Sequence, residues 1–464
     1  MVLVRLIAAS AIALAAGCAP PTSPVLATNQ GPRATFVPAP PDSTAAYANT
    51  ELGKLLDSGP EFTVAGERLN VELLRRFYAR HGFEPIWTTR PAQANSLTNA
   101  VRHAGEHGLA PELFHANLLL SPTLPPLYRE LVLSDAFLSY ADALARGVMP
   151  VERRRDDEVL TPAPVDITAA LDAAIVSPDP ATAIEALAPT TPTYRLLRQA
   201  LQNLRSDAPA GGRTATTRLR QIEVNLERER WLPRPLPPDR VWVNVADERV
   251  VLYRGDQPVF STKVIVGQDE LRNQSPEFQT VIDGVLFNPP WTIPRDIATD
   301  EILPKTVSDP NYLAQHNMVT LPDGELQQLA GPNSGLGQLM FYMNNRFDVY
   351  LHDTPSKDLF SRENRRISHG CIRVEQPREL AALLMRQPVD AIDQAIATGS
   401  TTRSGLPVPV PVFVVYETAF ADADGRLQFR PDVYARDAEI WTQLDPDPER
   451  RPVAERDPTS QRGG

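Results

Sequence analysis

At 464 residues the chain has room for two or three domains, and 42% hydrophobic residues supply enough apolar side chain for packed cores. A formal net charge of −11 argues against nucleic acid as a partner, because that normally demands a basic face. Forty-six prolines are about double the usual share, and many fall in linkers and near the C-terminus.

Residues 1–18 read as an export signal. Arg5 supplies a short positive start, and Leu6 to Ala16 is an apolar run too short to span a bilayer. The run ends Ala15-Ala16-Gly17-Cys18, which resembles a bacterial lipoprotein processing site with Cys18 as the lipidated residue. Ala15 departs from that pattern, which favours a larger aliphatic there, so a plain secretory signal stays open. Residues 19–60, rich in Pro, Thr, Ala and Ser near their start, read as a flexible tether.

Residues 61–235 have helical spacing. Leu69, Val71, Leu73, Leu74, Phe77 and Tyr78 fit one helix face. Phe83 to Trp87 follows a glycine and should turn the chain into the core. Further helices are expected over Leu97–His107, Leu131–Ala145, Ala169–Val176, Ala181–Leu187 and Tyr194–Leu204. Ser206 to Thr217 reads as a Gly/Ala/Thr linker, too short for a domain.

From Val241 the period becomes two. Val241, Val243 and Val245 alternate with Trp242 and Asn244, and strands are expected over Val250–Tyr253 and Val259–Val266, with Gly255-Asp256 as the turn between them. The alternation fades from about residue 295, where Ile297–Leu303 and Tyr312–His316 suit short helices. Met340 to Leu351 is expected to be the strand that delivers His352. Pro377–Met385 reads as a helix with proline in its first turn, and Val408–Thr418 as a closing strand. Residues 421–464 form a C-terminal extension whose charged, proline-bearing end is expected to fray.

The chemistry concentrates in residues 350–374. Cys371 is the only cysteine besides Cys18, with His369 two positions and His352 nineteen positions before it. A thiol becomes a nucleophile when a neighbouring base or positive charge promotes the thiolate. Gly370 permits a sharp bend beside the sulfur, and backbone N–H groups around such a bend can converge on an oxyanion. If Cys18 is lipidated, Cys371 has no intramolecular disulfide partner, and an unpaired thiol retained in an oxidising compartment implies a use. Taken alone, each residue also suits a bland role: a lone cysteine as a small buried apolar side chain, a lone histidine as a structural one.

The whole string is more specific. His352-Asp-Thr-Pro-Ser-Lys-Asp-Leu-Phe360 followed by Ser368-His369-Gly370-Cys371-Ile372-Arg373 resembles the active-site signature of the L,D-transpeptidase (YkuD-like) family, in the longer form of its large Gram-negative members. Phe77-Tyr78-Ala79-Arg80 to Trp87, His107 to Glu112 and Asn225 to Pro233 resemble the scaffold region before the catalytic domain of those proteins. Asn288-Pro-Pro-Trp291-Thr-Ile-Pro294 is similar to a family phrase near the site. The resemblance implies an α+β protein: a mostly helical scaffold at 61–235 without the inserted peptidoglycan-binding module, then a β-rich catalytic domain at 236–420. Within the latter, about 295–340 form a capping insertion, a lid over the groove.

The resemblance also implies roles. Cys371 is the nucleophile and His352 the general base and acid, its ring oriented by the backbone carbonyl of Asp353. His369 and Gly370, with Cys371, supply oxyanion N–H groups; His369 as the base is the alternative. Arg373, Ser368 and Trp291 contact substrate, against a structural salt bridge for Arg373 and a core role for Trp291. No cofactor and no metal are required. The partners are peptidoglycan stem peptides and other cell-wall synthesis proteins. The protein is expected in the periplasm of a Gram-negative bacterium, touching a membrane only through a lipid anchor at Cys18. Three functions stay in view: a transferase forming 3–3 cross-links, a hydrolase or lipoprotein-attaching relative sharing the thioester, and a non-catalytic wall-binding lipoprotein.

Overall fold

The computed structural model describes residues 50–206 and 213–445. The export signal with Cys18, most of the tether, the centre of the 206–217 stretch and the charged C-terminal end lie outside the described residues. Among the described residues no helix is long and apolar enough to cross a membrane.

The first half is helical. Helix α1 (Val71–Arg80) starts behind Asn70, whose side chain accepts the Leu73 N–H and so satisfies one of the free donors of the first turn. Leu74, Phe77 and Tyr78 are buried on one face. Helix α2 (Pro91–Arg102) carries proline at its start. Helix α3 (Pro126–Arg146) is the central rod, with Leu131, Val132, Phe137, Leu138 and Leu144 all buried. Its buried Glu130 accepts the Ile86 and Trp87 N–H groups at 2.5 and 2.9 Å and the Tyr78 hydroxyl at 2.9 Å. That carboxylate is what turns Phe83–Trp87 inward, and its burial raises its pKa.

Helices α4 (Pro192–Ser206) and α5 (Arg213–Arg230) pack side by side. The linker expected over Ser206–Thr217 is therefore shorter, because residues 213–217 already belong to α5. The helix is carried by buried Ile222, Val224 and Leu226, which outweigh the weak propensity of the threonines at its start.

From Arg240 the chain is β. Its two larger sheets are built from β1 (Arg240–Asn244), β2 (Arg249–Arg254), β3 (Gln257–Gly267), β4 (Phe278–Phe287), β5 (Trp291–Thr292), β6 (Met318–Thr320), β7 (Leu326–Gln328), β8 (Leu339–Met343), β9 (Leu351–His352), β10 (Arg366–Ser368), β11 (Ile372–Val374) and β12 (Thr402–Val415), and Ala419–Ala421 pairs with Leu427–Phe429 beyond them. The main sheet runs β10-β3-β11-β9-β8-β4-β12-β1-β2, and β2 also pairs with β3, which closes the ring. Gly255 and Asp256 both adopt positive φ, as a two-residue turn between β2 and β3 requires. Val241, Val243, Val250, Leu252, Val264, Ile282, Phe341, Leu351, Ile372 and Val412 fill the interior. Helices α6 (Pro377–Met385) and α7 (Val389–Ala397) add Leu380 and Ile392 to the same core.

Two strand expectations change. Met340–Leu351 is not one strand. The chain leaves β8 at Met343, turns through Asn344–Asp348, where Asp348 has φ 52°, and returns antiparallel as β9, so that Met340 lies opposite His352. Strand β4 was not anticipated; it pairs with both β8 and β12. Strands β5, β7 and β6 form a separate three-stranded sheet. With the helical turns at 295–315 they enclose a small core of Ile293, Ile297, Ile302, Met318 and Leu326. This inserted unit thus has its own packing.

The C-terminal segment ties the halves together. Helix α8 (Asp437–Leu444) places Ile440 and Leu444 in the helical core, which Phe413 and Val415 of β12 also join. Just before it, Arg436 is fully buried. Its guanidinium reaches Glu277 at 2.8 Å, Asp157 at 2.5 Å and the Gln274 side-chain oxygen at 3.0 Å, with Glu158 at 3.7 Å. Burial and the Glu277 charge push Glu158 up to about 7. Removing the cation leaves several buried carboxylates uncompensated, a loss on the scale of about 3–5 kcal/mol for a broken buried pair. Arg436→Ala is therefore expected to lower unfolding stability by that amount in urea titration; a change under about 1 kcal/mol contradicts it.

Candidate active site

The site is built on the pairing of β9 with β11. The two run parallel, with Leu351 opposite Ile372 and His352 opposite Arg373. Leu351 and Ile372 point into the core. Side chains alternate along a strand, so His352, Cys371 and Arg373 all project from the other face. Sequence separation of nineteen residues is thereby converted into adjacency.

The turn that carries Cys371 is pinned at several points. Ser368 Oγ donates to the Cys371 carbonyl at 2.6 Å and accepts the Gly370 N–H at 3.2 Å. The Gln268 N–H reaches the Ser368 carbonyl at 2.9 Å. Gly370 has φ 106°, a conformation that side chains resist. The N–H groups of His369 and Cys371 make no hydrogen bond among the described residues. The Gly370 N–H, expected among the oxyanion donors, is committed to Ser368 instead. Ser368 itself is buried with its hydroxyl spent inside the turn, so the expected substrate contact is corrected: it staples the loop.

His352 is buried, and its Nδ1–H donates to the Asp353 carbonyl at 2.6 Å. A carbonyl only accepts, so this contact sets the tautomer and leaves Nε2 as the lone-pair nitrogen of the neutral ring. The Asp353 carboxylate also has a task. It accepts the Gln338 N–H at 2.9 Å and faces Lys357 Nζ at 2.8 Å. Lys357 continues to the Glu375 carbonyl at 2.9 Å. Gly337 fits here only without a side chain: its φ is 63°, and a Cβ would lie 2.5 Å from the Asp353 carboxyl.

Both key groups are neutral at rest. Burial, then the nearby Arg373 charge, lowers His352 to about 4, while the Asp353 and Leu336 carbonyls pull the other way. Burial pushes the Cys371 thiol up, against the Tyr350 N–H and Arg373. The thiol donates weakly to the Asp348 carbonyl at 3.8 Å, so it is not hydrogen-bonded to His352 here. Catalytic contacts are often long in a free enzyme and tighten when substrate binds.

The remaining expected residues separate. Arg373 is half-buried, and its side chain makes no ion pair or hydrogen bond among the described residues; burial lowers its pKa, and an ionised Cys371 would raise it. The structural salt bridge is thus absent among the described residues. His369 Nε2 stands 2.7 Å from the Glu301 carboxylate on the inserted unit. Trp291 is half-buried against the core of that unit and against Gly335. The sequence assigned no role to Gly337, Asp348, Glu301, Lys357 or Ser275; of these only Lys357 lay within the motif from His352 to Phe360.

Residues 238–412 match the L,D-transpeptidase catalytic domain of YkuD type, and residues 72–201 match the scaffold domain. The chain therefore carries a YkuD-type L,D-transpeptidase catalytic domain behind a helical scaffold domain. A Haemophilus influenzae protein provisionally named an L,D-transpeptidase is 30% identical over 268 residues, which cover 53% of this chain and 53% of that protein. The match thus spans about half the length of that relative. Two solved structures, an Enterococcus faecium L,D-transpeptidase with a cysteine replaced by serine and a carbamoyl enzyme formed with avibactam, are 10% and 11% identical. Each aligns over 39% of this chain, and over 50% and 49% of its own, at a TM-score of 0.20, too low to carry an argument.

The unfolded chain holds His352 near 6.5 and the folded chain near 4, so as pH falls the unfolded state binds the proton first. The stability linked to this neutral ring is complete above about 6.5 and is lost progressively between 6.5 and about 4. An NMR titration of the His352 ring should place its midpoint near 4; a midpoint at or above 6.5 would contradict the burial argument.

Proposed function

We propose that the protein is a cysteine L,D-transpeptidase that cross-links peptidoglycan stem peptides. The observation that carries this reading is the shared face of Cys371, His352 and an Arg373 that has no partner among the described residues. The thiol sulfur of Cys371 attacks the carbonyl carbon of the L-centre, a diaminopimelate, in an L–D peptide bond, while His352 Nε2 takes the thiol proton. A raised thiol and a depressed imidazole disfavour a thiolate–imidazolium pair in the free enzyme, which suits transfer of the proton to His352 as the sulfur attacks. The oxyanion faces the N–H groups of His369 and Cys371. The C–N bond then breaks, the proton passes from His352 to the departing D-alanine amine, and a thioester remains. The amine of a second stem attacks the thioester and gives its proton to His352, which passes it to the departing Cys371 sulfur; the 3–3 cross-link and the neutral thiol and imidazole result.

Arg373 suits a substrate carboxylate, which its fork of donors can hold at two points. The inserted unit, tied to the Cys371 turn through Glu301–His369 and to the 271–273 turn through Asp300–Arg272 at 3.2 Å, is proposed as the cover of the groove. Such a reaction belongs in the cell envelope. Anchoring through Cys18 is part of the same reading.

Cys371→Ala is expected to abolish cross-linking and acylation by a labelled carbapenem while the protein still folds. His352→Ala should slow acylation by roughly 10²–10⁴-fold, the usual scale for a general base. Muropeptide products distinguish the outcomes: 3–3 dimers are expected, and trimmed monomers alone would replace transfer by hydrolysis. Cross-linking by pure Cys371→Ala protein would sink the mechanism.

A further inference from the structure

Ser275 lies fully buried between the end of β3 and the Cys371 turn. Its hydroxyl donates to the Gly370 carbonyl at 2.7 Å and accepts the Gly267 N–H at 3.0 Å. Its own N–H donates to the Tyr434 hydroxyl oxygen at 3.3 Å, and that hydroxyl donates to the Gly267 carbonyl at 2.6 Å. Tyr434 is held in turn: its N–H donates to the Tyr416 hydroxyl at 2.7 Å, and the two rings stack 5.2 Å apart. Gly267 permits the close passage, since a Cβ there would stand 2.0 Å from the Asn273 carbonyl oxygen and 2.6 Å from the Ser275 nitrogen.

The Gly370 carbonyl and the Cys371 N–H belong to one planar trans peptide and point in opposite directions. Fixing one fixes the other. Among the described residues no other donor reaches the Gly370 carbonyl. Gly370 lacks the side chain that would otherwise restrict rotation of this peptide.

We propose that Ser275 is a positioning residue for catalysis: by holding the Gly370 carbonyl it aims the Cys371 N–H at the developing oxyanion, and Tyr434 of the C-terminal segment braces it. The inference rests on Cys371 as the nucleophile. Ser275 touches neither substrate nor sulfur and transfers no proton. Without its hydroxyl the thiol and His352 remain, but the peptide can rotate and the donor is misdirected in the transition state. Outright loss of one oxyanion donor costs about 10²–10³ in rate, so a donor left in place but unaimed should cost about 10- to 100-fold.

The test uses the full chain and its Ser275→Ala, Ser275→Thr, Tyr434→Phe and Cys371→Ala variants. Acylation by a labelled carbapenem is followed across concentrations by intact-protein mass spectrometry. Alkylation by iodoacetamide, which displaces iodide at a saturated carbon and builds no oxyanion, is followed in parallel. Ser275→Ala should lose about 10- to 100-fold in maximal acylation rate, with unchanged half-saturation and unchanged alkylation. Ser275→Thr should recover rate, and Tyr434→Phe should fall in the same direction by less. If Ser275→Ala does not fold, Tyr434→Phe decides alone. A wild-type maximal rate in the deciding variant overturns the proposal. So does an equal loss in alkylation, which would mean damage to the turn as a whole. Label on Cys371→Ala at the wild-type rate would instead overturn the nucleophile assignment itself.

Discussion

Everything at the site depends on a two-residue parallel pairing, Leu351–His352 against Ile372–Arg373. A slip of one residue in either strand would turn one side chain of the set into the core and the other away from it. The register is secured by what lies beneath it. Leu351 and Ile372 are both fully buried, and exposing either would cost about 1.5–3 kcal/mol of lost burial. The hydrophobic core therefore sets the geometry of the polar face without touching it. So short a pairing is stable because both strands sit inside a closed ring and have neighbours on their other edges.

The same burial shapes the electrostatics. A thiol pushed up and an imidazole pushed down oppose a resting ion pair. Arg373 is the exception, a half-buried guanidinium with no carboxylate partner among the described residues. Taking a cation out of water without a partner is unfavourable, and the rest of the fold must offset it. Binding an anion beside such a half-buried cation would relieve the cost.

A second set of buried charges joins the helical and β halves. Arg436 gathers Asp157, Glu277 and Gln274 from segments more than a hundred residues apart in the chain. The neighbouring tyrosines, Tyr416 and Tyr434, reach from this network to Gly267 and Ser275. Scaffold, C-terminal segment and catalytic turn are thus linked by continuous hydrogen bonds. The helical domain can in this way bear on the rigidity of the turn.

The sequence by itself determined the elements whose signal is local. The 3–4 spacing around Leu74, Phe77 and Tyr78 required a helix, the valines from Val241 to Val245 required a strand, and Pro377 marked a helix start. The motif from His352 to Arg373 was legible as a string because all its residues lie within one stretch of chain. Only the tertiary structure decided which of those groups face one another. It turned the expected single strand before His352 into two antiparallel ones, moved the Gly370 N–H and Ser368 hydroxyl into the turn's own hydrogen bonds, and gave His369 to Glu301. Ser275 lies 95 positions from its acceptor Gly370, and Tyr434 lies 159 from Ser275. Contacts at that distance have no periodicity and no local propensity. They exist because closing the ring and packing the C-terminal segment bring these backbones together, and no spacing within one segment encodes that.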